Sequence, residues 1–310
     1  MQLKSVCIRG LQYSYCDSGE PDASTYDTIF ILHGHTFHSA TFERLLASAP
    51  TRALRLIAIN RRGYPGSTPI NDVEAEAMNS SSEDIVQDFL EQHGVNFALA
   101  IDRLILELAL PPGRNVTLSA WSLGNCFLVN ILACIKALDD DVRDRLRSRV
   151  RGVIFWDPPS FGFGLLTSSK ASGDYVPLYD ESIPPENREA VFSAWVSAYW
   201  KHGDLSTHDI NQVQQRNFPM FPLPTSYRMK ADELKAMTCI GFKCIKGGNH
   251  FVSPSLDALL VLHELLIIIL LVTIKVMWEH PEITLDAIQE CISGDMSQIA
   301  ILTDDVNERF

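Results

Sequence analysis

Positive charge is scarce in this chain: 26 Lys and Arg stand against 38 Asp and Glu, a formal net charge of −12. Nucleic acids and anionic membranes are held by clustered Lys and Arg that neutralise phosphates, so neither is an expected partner. A small, neutral, partly apolar molecule is. Paired cysteines are missing too. The seven cysteines, at 7, 16, 126, 134, 239, 244 and 291, form an odd, scattered set without metal-ligand spacing. That excludes a disulfide framework and points to a reducing compartment. The opening Met1-Gln2-Leu3-Lys4-Ser5-Val6-Cys7 lacks the apolar core and cleavage site of a signal peptide, so the cytoplasm is the expected location. Internal repeats and low-complexity tracts are absent. Two Asn-x-Ser/Thr triplets, at Asn79 and Asn115, read as chance, the second because it lies in a predicted strand.

Long apolar runs are also few. One stands out, Leu259 to Ile274, where Leu265-Leu266-Ile267-Ile268-Ile269-Leu270-Leu271-Val272 is unbroken. A membrane span wants about 20 apolar residues, and His263, Glu264 and Lys275 cut the clean part short. A buried helix or an interfacial hairpin is expected there, and no stable membrane span.

Short runs rich in β-branched residues, bounded by turn signals, predict strands at Thr28 to Leu32, Leu56 to Asn60, Asn115 to Ala120, Gly152 to Trp156 and Ile240 to Ile245, with an opening hairpin over Lys4 to Tyr15. Between the second and third, Phe97, Ile101, Leu104, Ile105 and Leu108 recur at helical spacing, and Pro111-Pro112-Gly113 stops that helix. A further helix follows from Leu123 to about Leu138. Strand and helix in alternation predict an α/β fold, a mostly parallel central sheet flanked by helices. After Trp156 the pattern breaks, and a helix with Val191, Phe192, Trp195, Val196 and Tyr199 on one face predicts a helical cap. Trp121, Trp195 and Tyr199, with Trp200, are candidates to line a substrate pocket; core packing is the alternative for each. The expected division is an amino-terminal core over 1–157, a cap over 158–237 and a carboxyl-terminal core over 238–310 that carries an anomalous apolar insertion at 252–275.

The chemistry is carried by Ser119-Ala120-Trp121-Ser122-Leu123-Gly124-Asn125. A serine hydroxyl is a poor nucleophile and needs a base, a group that orients the base and donors for the oxyanion. A small-x-Ser-x-Gly pattern between a strand and a helix makes a strained turn that exposes the hydroxyl. Ala120-Trp121-Ser122-Leu123-Gly124 satisfies it, and the helix start offers the Leu123 amide to an anion.

Taken together, Leu32-His33-Gly34-His35, Arg62-Gly63-Tyr64-Pro65-Gly66-Ser67, Trp121-Ser122-Leu123-Gly124-Asn125 and Gly247-Gly248-Asn249-His250-Phe251 resemble, in order, the motifs of the α/β-hydrolase superfamily over roughly residues 25 to 160 and 240 to 292. The resemblance implies an α/β-hydrolase fold and a Ser-His-Asp triad: Ser122 as nucleophile, His250 as general base, and the backbone amides of His35 and Leu123 as the oxyanion hole. The candidate acid is Asp157, after the strand that follows the nucleophile, where some members of the superfamily keep theirs, with capping of the entry to the cap as the alternative; Asp232 reads as helix surface. The implied activity is that of a serine hydrolase on an ester, lactone or thioester. No cofactor is called for. Lyase or cofactor-free oxygenase chemistry on the same triad is compatible with these residues.

Two other readings compete. Removing 252–275 joins Asn249-His250-Phe251 to Val276-Met277-Trp278-Glu279-His280-Pro281, the order such hydrolases typically show. The codons of Val252-Ser253 and Lys275 can spell intron boundaries, so the segment reads as a translated retained intron. An insertion so near His250 suggests a catalytically impaired homologue that serves as a binding module. In the other reading, His33-Gly34-His35-Thr36-Phe37-His38 is compared with a zinc-hydrolase signature, with Phe37 standing where that signature has an aspartate.

Overall fold

The computed structural model describes residues 2–113, 115–159 and 175–201, shorter stretches between 203 and 239, and 266–270, 274–293 and 300–302 near the carboxyl end. Strand β1 (Lys4–Ile8) and β2 (Leu11–Asp17) form the predicted hairpin. Its two turn residues, Arg9 and Gly10, both have positive φ, at 51° and 78°, the backbone that matches the twist of a two-residue hairpin. Six more strands follow: β3 (Asp27–Leu32), β4 (Leu54–Ile59), β5 (Val116–Trp121), β6 (Val150–Trp156), β7 (Leu266–Leu270) and β8 (Ala300–Leu302). They join one sheet in the order β1-β2-β4-β3-β5-β6-β7-β8. Strand β2 is antiparallel to both its neighbours, and every pairing from β4 to β8 is parallel. This order, with helices on both faces, is the α/β-hydrolase fold.

Side-chain alternation explains why both faces are covered. Phe30, Leu32, Ile57, Ile59, Leu118, Ala120, Val153 and Phe155 turn to one core. Ile29, Ile31, Leu56, Ala58, Trp121, Ile154 and Trp156 turn to the other. Strands buried on both sides read as near-continuous apolar runs, as β3 to β6 largely do, with Arg55, Thr117, Ser119 and Arg151 as interruptions. Each large side chain so buried is worth roughly 1.5–3 kcal/mol. The first core is closed by α3 (Glu83–Glu107), whose Phe97, Ile101, Leu104 and Ile105 form the predicted stripe, and by α4 (Gly124–Cys134). The second is closed by α1 (Glu43–Ser48) and, near the carboxyl end, by α9 (Ile274–Glu279) and α10 (Pro281–Ser293), which supply Met277, Trp278, Leu285 and Ile288. In chain order between these lie α2 (Asp72–Met78), α5 (Asp140–Arg149) and three cap helices, α6 (Pro185–Val196), α7 (Thr225–Arg228) and α8 (Ala231–Met237).

The apolar run departs from its expectation. Neither a buried helix nor an interfacial hairpin is seen in its described part; Leu266–Leu270 is strand β7, paired with β6 from Gly152↔Leu266 to Trp156↔Leu270. The predicted strand over Ile240 to Ile245 lies outside the described residues. Among the described residues no helix is long and apolar enough to cross a membrane.

Candidate active site

Parallel strands all end on the same side of the sheet, and the loops there carry the candidate residues. Trp121 of β5 pairs with Trp156 of β6, so the next residues, Ser122 and Asp157, leave adjacent strands side by side. Adjacent strands lie about 4.8 Å apart. Both residues take left-handed backbone angles, φ 51° for Ser122 and 45° for Asp157. Thr36, in the loop after β3, does the same at 63°. Such angles cost of order 1–3 kcal/mol in residues with a Cβ and persist only where surrounding contacts enforce them. Here three gather at the ends of three neighbouring strands.

The contacts that enforce the Ser122 turn are explicit. Its amide donates to the Trp156 carbonyl at 2.9 Å. Asn125 Nδ2 bridges the Ser122 carbonyl at 2.8 Å and the Trp156 carbonyl at 2.9 Å. Gly124 is pressed so close to β3 that a Cβ there would come within 2.6 Å of the His33 carbonyl oxygen; only glycine fits. Gly34 lies against the serine itself, since a Cβ on it would meet Ser122 Cβ at 2.9 Å and Oγ at 3.4 Å. The loop holding His35 is thereby seated on the serine turn. Ser122 and Leu123 stay half-buried rather than fully enclosed.

Asp157 is half-buried, and the surrounding protein raises its carboxyl from the ordinary 3.8 to about 6. Asp232, on α8, is exposed, as its helix pattern predicted. His250 lies outside the described residues. Cys126, four residues past the serine, is buried and its thiol is pushed up to about 12 by desolvation. It is a packing group rather than a rival nucleophile.

The histidines of the loop after β3 have distinct roles. His33 is fully buried; its Nε2 accepts from the Arg61 amide at 3.0 Å and its Nδ1 lies 2.9 Å from the Gly34 carbonyl. Burial, then the Arg61 charge, holds its pKa well below the ordinary histidine range. His35 and His38 are lowered to about 4, in both cases chiefly by burial. His38 Nδ1 caps a short helical turn by accepting from the Ala40 amide. These engagements correct the zinc reading of His33, His35 and His38: among the described residues no group of three or more His, Cys, Asp or Glu side chains is arranged to hold a metal.

One chain of hydrogen bonds was not foreseen from sequence. Thr36 Oγ1 donates to Glu189 Oε2 on α6 at 2.8 Å and lies 2.7 Å from His35 Nδ1, which therefore donates to it. Burial raises the Glu189 carboxyl above its ordinary value, against the lowering effect of Thr36. Phe192 meets the His35 ring edge-on at 5.8 Å and stacks on Trp195 at 5.9 Å, so Trp195 joins an aromatic cluster that reaches the His35 loop. Trp200 meets Trp195 edge-on at 6.2 Å, and the other two pocket candidates are placed differently. Trp121 is 1% exposed and packs in the core against Phe37 and Phe42. The Tyr199 hydroxyl donates to Glu279 of α9, a tie between cap and core. No sequence pattern announces either arrangement, because each depends on a partner far along the chain.

No family model and no curated protein sequence matches the chain. Solved structures similar to it include a bromoperoxidase from Bacillus anthracis, at 16% identity over 97% of this chain and 91% of that one, with a TM-score of 0.49. An esterase from a Rhodococcus species is 17% identical over 91% and 86%, with a TM-score of 0.46. A haloalkane dehalogenase from Agrobacterium tumefaciens is 22% identical over 51% of this chain but only 41% of its own length, with a TM-score of 0.32.

Proposed function

We propose that the chain is a serine hydrolase acting on an ester, lactone or thioester of a small, partly apolar molecule. The observation that carries this reading is the strained Ser122 turn: a half-buried hydroxyl at φ 51°, between a strand and a helix, with Gly34 against it and Asp157 leaving the adjacent strand. In this reading His250 takes the Oγ proton as Oγ adds to the carbonyl carbon. The oxyanion is held by the His35 and Leu123 amides, and Asp157 orients the base. His250 returns the proton to the leaving group, and water releases the acyl-enzyme by the same steps in reverse. Trp195 lines the substrate side of the cap.

Steady-state hydrolysis of p-nitrophenyl acetate and butyrate tests it. Ser122→Ala is expected to lower kcat by about 10³-fold or more while Cys126→Ala leaves it unchanged. Turnover that survives Ser122→Ala would refute the reading. One observation favours the impaired homologue: the place beside β6 belongs to Leu266–Leu270, whereas the motif order would put the strand preceding His250 there. A folded protein without Ser122-dependent turnover is what that alternative expects.

A further inference from the structure

Arg61 lies just past β4 and is 3% exposed. Its guanidinium is packed over the Phe127 ring at 4.5 Å and the Tyr64 ring at 4.9 Å. From there Nη2 donates to the Gly34 carbonyl at 2.7 Å and to the Tyr64 hydroxyl at 3.2 Å. The Arg61 amide donates to His33 Nε2 at 3.0 Å. That bond leaves the ring proton on Nδ1, which lies 2.9 Å from the same Gly34 carbonyl. Arg61 thus reaches one carbonyl twice, directly through its side chain and indirectly through His33.

The Gly34 carbonyl and the His35 N–H belong to one planar peptide group and point in opposite directions. Fixing the carbonyl fixes the N–H. A cationic donor makes a hydrogen bond roughly twice as strong as a neutral one, and an amide polarised at its oxygen donates more strongly at its nitrogen. A neutral side chain could have filled this place without the desolvation cost of a buried guanidinium.

We propose that Arg61 is a positioning residue for the oxyanion hole, one that aims and polarises the Gly34–His35 peptide so that the His35 amide meets the developing oxyanion as a pre-organised donor. The inference rests on the serine-hydrolase reading and adds to it a residue that never touches substrate.

The test compares p-nitrophenyl acetate with its thionoester analogue in the full-length protein, for the wild type, Arg61→Met and Arg61→Lys, each checked for folding by thermal melting. Removing one oxyanion donor costs about 10²–10³ in kcat, so weakening one is expected to cost roughly tenfold with KM little changed. Sulfur accepts hydrogen bonds poorly, so the thionoester rate has less to lose. The oxo-to-thiono rate ratio is therefore expected to fall by several-fold in Arg61→Met and by less in Arg61→Lys. Where Arg61→Met does not fold, the ratio in Arg61→Lys decides. A ratio equal to the wild type's, with both substrates slowed alike, would mean that Arg61 only packs, and would overturn the inference while leaving the hydrolase reading intact. Absence of Ser122-dependent turnover in the wild type would take both down.

Discussion

Asp157 combines two unfavourable features, a left-handed backbone at φ 45° and a carboxyl raised to about 6 by burial. The second has a measurable sign. With a pKa near 3.8 in the unfolded chain and about 6 in the folded one, the folded state holds more protons at intermediate pH. This group's contribution to stability therefore falls as pH rises from about 4 to about 6, and is flat outside that window. Asp157→Asn is expected to gain in melting temperature relative to the wild type across that interval, by a few degrees for a shift of this kind. A difference that runs the other way would show that a positive charge faces the carboxylate, as a protonated His250 would. At the same scale Ser122, Gly34 and Gly124 were legible because backbone strain and close approach select residue types locally. Thr36, Glu189 and Arg61 were not. Their significance comes from contacts spanning 153 residues for Thr36 with Glu189 and 27 for Arg61 with Gly34, which no local pattern encodes.

Among elements, β3 to β6 and α3 were readable because burial leaves a period. Strands covered on both faces are largely apolar runs, and α3, of 25 residues, carries its apolar stripe at helical spacing. Helices α2 and α5 escaped notice. Each is short, and α5, Asp-Asp-Val-Arg-Asp-Arg-Leu-Arg-Ser-Arg, buries only Val142 and Leu146, too few for a period to show. The place beside β6 is the instructive case. Two apolar runs, 240–245 and 266–270, suit a buried parallel strand equally well, and burial cannot rank them from sequence. The structure gives the position to β7, within the segment that reads as a translated intron. Deleting 252–275 tests that reading. The shortened chain is expected to stay folded, with a melting temperature no lower than that of the full chain, with 240–245 taking the place beside β6 and bringing His250 to the strand end. Its esterase activity is expected to rise. A deletion variant that fails to fold would identify 266–270 as the native strand.

Over the whole molecule, the cap is joined to the core by two carboxylates facing opposite ways. Glu189 descends from α6 to Thr36, while Glu279 rises from α9 to Tyr199, Thr225 and Arg228. Partly buried charged bonds of this type add little net stability, so their effect here is to tie α6 and α9 to their partners rather than to hold the fold together. The net charge of −12 fits a neutral ligand entering such a site. All of this converges on one hydroxyl, and the most direct measurement is to treat the folded protein with a fluorophosphonate and locate the adduct by peptide mass spectrometry. A single phosphonyl group on the peptide containing Ser122, absent when the protein is denatured beforehand, is the predicted result. Full occupancy of any other residue, or no adduct on the folded protein, would contradict the account.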